Sequence, residues 1–211
     1  MDFIKEPMAI ENRSMELIAP HLDGLDLDER ATKLYSRLIH ASGDVGYAPI
    51  TRVHPEAIDR AIEALKAGAH IYTDVEMVRT GINKKKLASF GGEVHCLVAD
   101  PDVAVRAKEL GITRAMVAMR QFGKALNGSI VAIGNAPTAL FEVLRLVREE
   151  GIRPACIVGI PVGFVGAAES KAALAAHGIV PYITVEGTKG GSPIAAAAIN
   201  ALMYLIDNTR P

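Results

Sequence analysis

Residues 129–171, SIVAIGNAPTALFEVLRLVREEGIRPACIVGIPVGFVGAAESK, decide the fold. SIVAI is a short apolar run that stops at Gly134, Asn135, Ala136, Pro137 and Thr138. The following ALFEVLRLV puts Leu140, Val143, Leu144 and Val147 on one helical face. ACIVGI repeats the strand pattern, and Pro161, Gly163 and Gly166 break it before AAESKAALAAHG begins a second helix. Two consecutive strand–turn–helix units are the pattern of a parallel sheet with helical crossovers. Ligands of such sheets sit beyond the carboxyl ends of the strands, where these turns lie.

Working outward, the chain continues into a strand, PYITV, a glycine-rich loop, EGTKGGS, and a helix, PIAAAAINALMYLI. Upstream lie a helix, RAMVAMRQFGKAL, and a strand, EVHCLV, whose helix opens at the cap pair Asp100-Pro101. HIYTD reads as the first strand, with VEMVRTGI a short helix after it. Thr51 to Ala67 reads as one amphipathic helix with Pro55 in its first turn. Before it, Asp28 opens the helix DERATKLYSRLIHAS, and Ala9 to Ala19 forms a short helix stopped by Pro20. Five mainly parallel strands alternating with helices predict an α/β fold, a three-layer doubly wound sheet of flavodoxin type, in a single domain over residues 1–211. The run Ala195 to Ala198 gives the last helix a smooth face that can approach a sheet or a second subunit closely.

Half of the residues are hydrophobic but only 5% are aromatic and none is Trp, so the core has to be built from Ala, Val, Ile and Leu. That composition suits helices packed on a parallel sheet. A formal charge of −1 excludes a globally basic, nucleic-acid-binding character. The only two cysteines, Cys96 and Cys156, lie far apart in apolar runs and form neither a disulfide framework nor a metal cluster. MDFIKEPMAIENRS lacks the apolar core of a signal peptide, and Ile194 to Ile206 is shorter than the roughly 20 residues a span needs. A cytoplasmic protein without membrane contact is expected.

GIPVGFVG does not fit G-x-G-x-x-G, and EGTKGGS lacks the spacing of a Walker loop, so nucleotide binding has little support. The six histidines show no H-E-x-x-H and no H-x-H spacing, and no protein-bound metal is expected. D-x-H-x-x-G, the pattern of a cobalt-ligating corrinoid carrier, is absent as well. Arg37 and His40, three residues apart, lean to the same side of their helix, with His40 in its last turn. An imidazole there can move a proton near neutral pH if it faces a pocket. Read from spacing alone, a surface or structural histidine is the favoured reading. Asn135 and Thr138 present polar groups at a strand end, Ser170 can cap or contact a ligand, and Arg120 and Lys171 can meet carboxylates or line a solvated face.

IGNAPTAL, GIPVGFVGAAESK and VEGTKGGS, together with AIENRS, RLIHASGD and TDVEMVRTGI upstream, resemble the signature segments of the precorrin-8X methylmutases. The resemblance covers nearly the whole chain, in order. It implies the same fold, an isomerase of corrin-ring biosynthesis moving a methyl group from C-11 to C-12 of a precorrin-8-type macrocycle, and no cofactor. It also implies a homodimer with sites near the interface. Within RLIHASGD it makes His40 the proton donor/acceptor and Arg37 a substrate contact, with Ser14 of AIENRS a second. Where family members often carry arginine before the GGS loop, this chain reads Thr188-Lys189, which weakens the case for a bidentate carboxylate contact there. AKELGITRAMVAMR is similar to the branch that acts on cobalt-precorrin-8. A tetrapyrrole carrier without catalysis is the alternative reading, and a nucleotide- or flavin-dependent α/β enzyme a third.

Overall fold

The computed structural model describes residues 3–207. Helix α1 (Pro7–Ile18) leads through a 3-10 turn to α2 (Glu29–Ser42). Asp28 caps α2 by accepting the Ala31 amide at 2.7 Å, and Gly43 ends it in the left-handed conformation, φ 65°. There follow β1 (Thr51–Val53), α3 (Ala57–Lys66), β2 (Ile71–Thr73), α4 (Glu76–Gly81), α5 (Lys84–Ser89) and β3 (Val94–Cys96). Next come α6 (Pro101–Leu110), α7 (Arg114–Phe122), β4 (Ile130–Ile133) and α8 (Pro137–Glu149). The described chain closes with β5 (Cys156–Gly159), α9 (Ala167–His177), β6 (Tyr182–Val185) and α10 (Ser192–Asp207).

The sheet has six strands in the order β1-β6-β5-β4-β2-β3, not the five that the sequence predicts. The additional strand is β1, antiparallel to β6 with Thr51 opposite Val185, where a helix was expected to begin. Two local facts account for it. A residue before proline is pushed out of the helical region, so His54-Pro55 holds the helix off until Ala57. Thr51 and Val53 are β-branched and two apart, with exposed Arg52 between them, which is a strand period. The other five strands are mutually parallel.

Alternation along the central strands sends side chains to two layers. Ile71, Ile130, Ala132, Cys156, Val158 and Ile183 pack with α2, α3 and α10. Tyr72, Val131, Ile133 and Ile157 pack with α7, α8 and α9. Helix α10 is enclosed: Ala195, Ala196 and Ala198 are buried in the first of these layers. Its smooth face therefore meets the chain's own sheet and helices. A Cβ on Gly81 would stand 2.8 Å from Cβ of Ala196, and one on Gly134 would stand 2.7 Å from Cα of Ser192. Those glycines let α4 and the end of β4 close on α10. No helix among the described residues is long and apolar enough to cross a membrane.

Candidate active site

The strand order reverses between β2 and β4, the position where ligands of doubly wound sheets commonly enter. Here that point is filled from within. Asp74 follows β2 directly and is fully buried. Its carboxylate accepts the amides of Gly134, Asn135 and Ala136 at 3.0, 2.8 and 2.7 Å, so the chain itself supplies the anion for the start of α8. Burial pushes the Asp74 carboxyl up from its ordinary value, against the downward pull of the three amides. Asn135 remains exposed on the crest of this turn, while the Thr138 hydroxyl pairs with that of Thr113 at 2.9 Å.

The open part of the sheet's carboxyl edge lies over β5 and β6. The loops after these strands are tied together, the Gly163 amide donating to the Thr188 carbonyl at 3.1 Å and the Gly191 amide to that of Ile160 at 2.9 Å. Gly190 has φ 152°, and a Cβ there would stand 2.5 Å from the Ile160 carbonyl oxygen, so no other residue fits. The loop after β6 is also fastened to the segment that follows α2. Lys189 pairs with Asp44 at 2.5 Å, the Tyr47 hydroxyl donates to the Gly190 carbonyl at 3.3 Å, and the Gly46 amide donates to Asp44 at 2.7 Å. The hydrogen bond from Lys189 holds the Asp44 carboxyl below its usual value. These contacts border an open cleft of about 380 Å³ lined by Ala41, Ser42, Tyr47, Val162, Lys189 and Pro193.

His40 lies one residue before this lining, in the last turn of α2. It is exposed, and its imidazole forms no hydrogen bond among the described residues, which leaves both ring nitrogens to a ligand. One turn earlier, Arg37 forms an ion pair with Glu11 of α1 and stands 5.6 Å from the ring of Tyr204. Ser14 is one turn beyond Glu11 on α1, its hydroxyl returned to the Ile10 carbonyl at 2.8 Å. The Arg37–Glu11 pair thus ties α1, which carries Ser14, to the helix that carries both Arg37 and His40. Asn135 and Thr138 stand apart from them, at the end of β4.

Ser170 is buried inside α9 and donates to the Ala167 carbonyl at 3.1 Å. Arg120 holds the buried Glu142 with two hydrogen bonds, 2.9 and 3.0 Å, so its carboxylate partner is the chain's own. Lys171 is 1% exposed, donates to the Lys189 carbonyl, and burial lowers its pKa to about 8. Sequence reasoning missed Asp74 and the pair Phe164-Val165. Those two side chains are 94% and 90% exposed on the loop between β5 and α9, beside Val162 of the cleft. The signal was present: two large apolar residues between glycines in a turn have no core to enter. Another cavity, about 610 Å³, opens at the opposite, amino ends of β5 and β6, among Glu56, Arg60, Arg153 and Ile179.

The family model described as precorrin-8X methylmutase matches residues 9–205. A cobalt-precorrin-8 methylmutase from Priestia megaterium is 42% identical over 203 residues, covering 96% of this chain and 90% of its own. A precorrin-8X methylmutase from Sinorhizobium sp is 44% identical, covering 95% and 96%. Among solved structures, the precorrin-8X methylmutase from Thermus thermophilus superimposes with a TM-score of 0.87 at 38% identity, covering 95% of this chain and 96% of that one. A match of this length, carried by sequence and by backbone alike, places the chain in the precorrin-8X methylmutase family.

Proposed function

We propose that this chain is an isomerase of cobalamin biosynthesis that moves a methyl group from C-11 to C-12 of a precorrin-8-type macrocycle. The family match over residues 9–205 carries this reading. The C-11 to methyl bond breaks, the C-12 to methyl bond forms, and the ring double bonds shift to compensate. The methyl group is already on the substrate and oxidation state is conserved, so neither a methyl donor nor a redox partner enters the balance.

His40 is the catalytic group in this proposal. Exposed, and with its side chain unpartnered among the described residues, it donates a proton or a hydrogen bond to a ring nitrogen as the conjugation rearranges. Arg37 and Ser14 bind peripheral substrate groups, with Asn135 and Thr138 at a second edge. The pairing of Arg37 with Glu11 orients its guanidinium but also means that a substrate carboxylate competes with Glu11 for it. Phe164 and Val165 supply apolar surface for the flat ring. Ser170 acts through the helix it sits in, because its hydroxyl is turned to the backbone.

The finer assignments are part of the same proposal. The parallel strands follow the order β3-β2-β4-β5-β6, which is flavodoxin-type winding with β1 added at one edge. A cytoplasmic homodimer acting on the cobalt-loaded substrate is the form we favour. Relatives carrying the cobalt and the metal-free names are equally similar to this chain, 42% and 44%, so the preference rests on the AKELGITRAMVAMR segment.

The test is to mix purified protein with metal-free or cobalt-loaded precorrin-8 and follow the visible spectrum to the rearranged product. His40→Ala is expected to fold and bind the ring yet lose about 10²–10⁴-fold in rate, the usual worth of a positioned proton transfer. A spectrum that shows binding by the wild type without rearrangement of either substrate would establish the carrier alternative instead.

A further inference from the structure

The edge of the sheet farthest from the cleft carries a second constellation. β2 and β3 pair in parallel with Ile71 opposite Val94 and Tyr72 opposite His95. His70 precedes β2 and Glu93 precedes β3 at the same level. Because side chains alternate along strands, His70 and Tyr72 share a face with Glu93 and His95, while Cys96 turns to the other side. The coordinating atoms of His70, Glu93 and His95 all lie within 4.8 Å of one another. None of the three takes part in the proposed reaction, and the sequence spacing conceals them, since 23 residues separate His70 from Glu93.

The geometry points to a binding site for one divalent transition-metal ion, of the Zn²⁺ or Co²⁺ class, held by His70, Glu93 and His95. Two imidazoles and a carboxylate are the donor set such borderline ions prefer, and one that Mg²⁺ and Ca²⁺ do not. The two rings are close enough to reach one ion, with the donor atoms, now within 4.8 Å of one another, drawing closer as it binds. Their centroids are 5.1 Å apart at an interplanar angle of 73°. Two imidazoles bound at 2.0–2.1 Å with a tetrahedral angle between them have centroids about 5 Å apart. His95 is steadied by the ring of Tyr72, stacked on it at 5.2 Å, and Tyr72 in turn by Phe122. Glu93 reaches to within 3.9 Å of Nε2 of His95 and, being exposed, has room to swing the rest of the way.

One contact opposes the ion. The Glu93 amide donates to Nδ1 of His70 at 3.1 Å, and a metal has to replace that hydrogen or take Nε2 with the proton moved to Nδ1. Either way the hydrogen bond is given up, so binding is weaker than at a closed structural zinc site. With three protein ligands on one side, the ion keeps open positions for water. Its place at the amino ends of the strands, away from His40, makes it a clip between β2 and the three-residue edge strand β3 and not a partner in methyl transfer.

Zn²⁺ titrated calorimetrically into the chelator-treated full-length protein is expected to bind one ion per chain and to raise the melting temperature. Co²⁺ in its place is expected to give visible d–d bands, and Mg²⁺ neither effect. Glu93→Gln, which keeps the fold and the amide donor, should weaken Zn²⁺ by about 10-fold or more, and His70→Ala/His95→Ala should abolish the bands. Methyl migration should be unchanged in Glu93→Gln. No heat or band from the wild type at millimolar metal overturns the site. So do unaltered affinity and stoichiometry in the double histidine variant. Because the wild-type arm stands alone, a variant that failed to fold would not shield the inference.

Discussion

Lys171 is the residue whose environment departs furthest from its chemistry. A lysine that is 1% exposed and donates to the backbone carbonyl of Lys189 is held in place by geometry, while burial drives its pKa from 10.5 to about 8. Between those two values the unfolded chain keeps a proton that the folded chain has released, so this group's contribution to stability rises with pH across the window. The stability difference between wild type and Lys171→Met, from urea unfolding, should therefore change in favour of wild type by up to about 3 kcal/mol from pH 8 to 10.5. A difference independent of pH would mean that the ammonium is solvated in the folded protein. At this scale the sequence was partly legible. The proposed roles of His40 and Arg37 rest on the resemblance of their segment, since their spacing alone places them only on one side of α2. Lys171 and Ser170 could not be placed, because α9 is alanine-rich almost all round and has no periodicity to say which side faces in.

Among the elements, the turn from β4 into α8 shows how a stretch legible as a turn can have its amides engaged by a distant part of the chain. The amides exposed by IGNAP are real, but Asp74, 60 residues earlier, already takes three of them. Removing that carboxylate should leave buried donors unpaired, at about 1–3 kcal/mol for such a group. Asp74→Ala is thus expected to lower the melting temperature, and phosphate or acetate should restore part of the loss in the variant while leaving wild type unmoved. Equal responses of the two proteins to the anion would show that the vacated amides bind nothing. Unbroken apolar runs such as SIVAI and ACIVGI were legible as strands because both sheet faces bury them. Thr51–Val53 was hidden because three residues at an edge carry too little pattern, and Pro55 reads equally well as a helix opener.

For the whole molecule, the closing helix proved to be the middle of a layer, so its alanines do not argue for a subunit contact. The exposed apolar side chains lie elsewhere. Phe3, Ile10 and Leu17 recur every seven residues at the amino end and all are exposed, as are Phe164 and Val165 beside the cleft. Surface of this kind is what a second copy would cover. Sedimentation at micromolar concentration is expected to give twice the 22.4 kDa chain mass, and Ile10→Asp/Leu17→Asp to shift it toward one. A wild-type monomer at that concentration would count against the homodimer.

The seat of Asp74 has one more consequence. Its carboxylate is a tethered ligand, presented by β2 at a local concentration that a free metabolite in millimolar amounts does not match. The crossover point at which related architectures seat phosphate esters is therefore occupied competitively by the protein's own chain, at every moment and without regard to supply. A nucleotide arriving there meets a carboxylate already holding the amides of Gly134, Asn135 and Ala136. Selection against abundant phosphorylated molecules is thus built into the scaffold before any specific contact is made, and the openings at that end lie over β5 and β6, one of them beside His40.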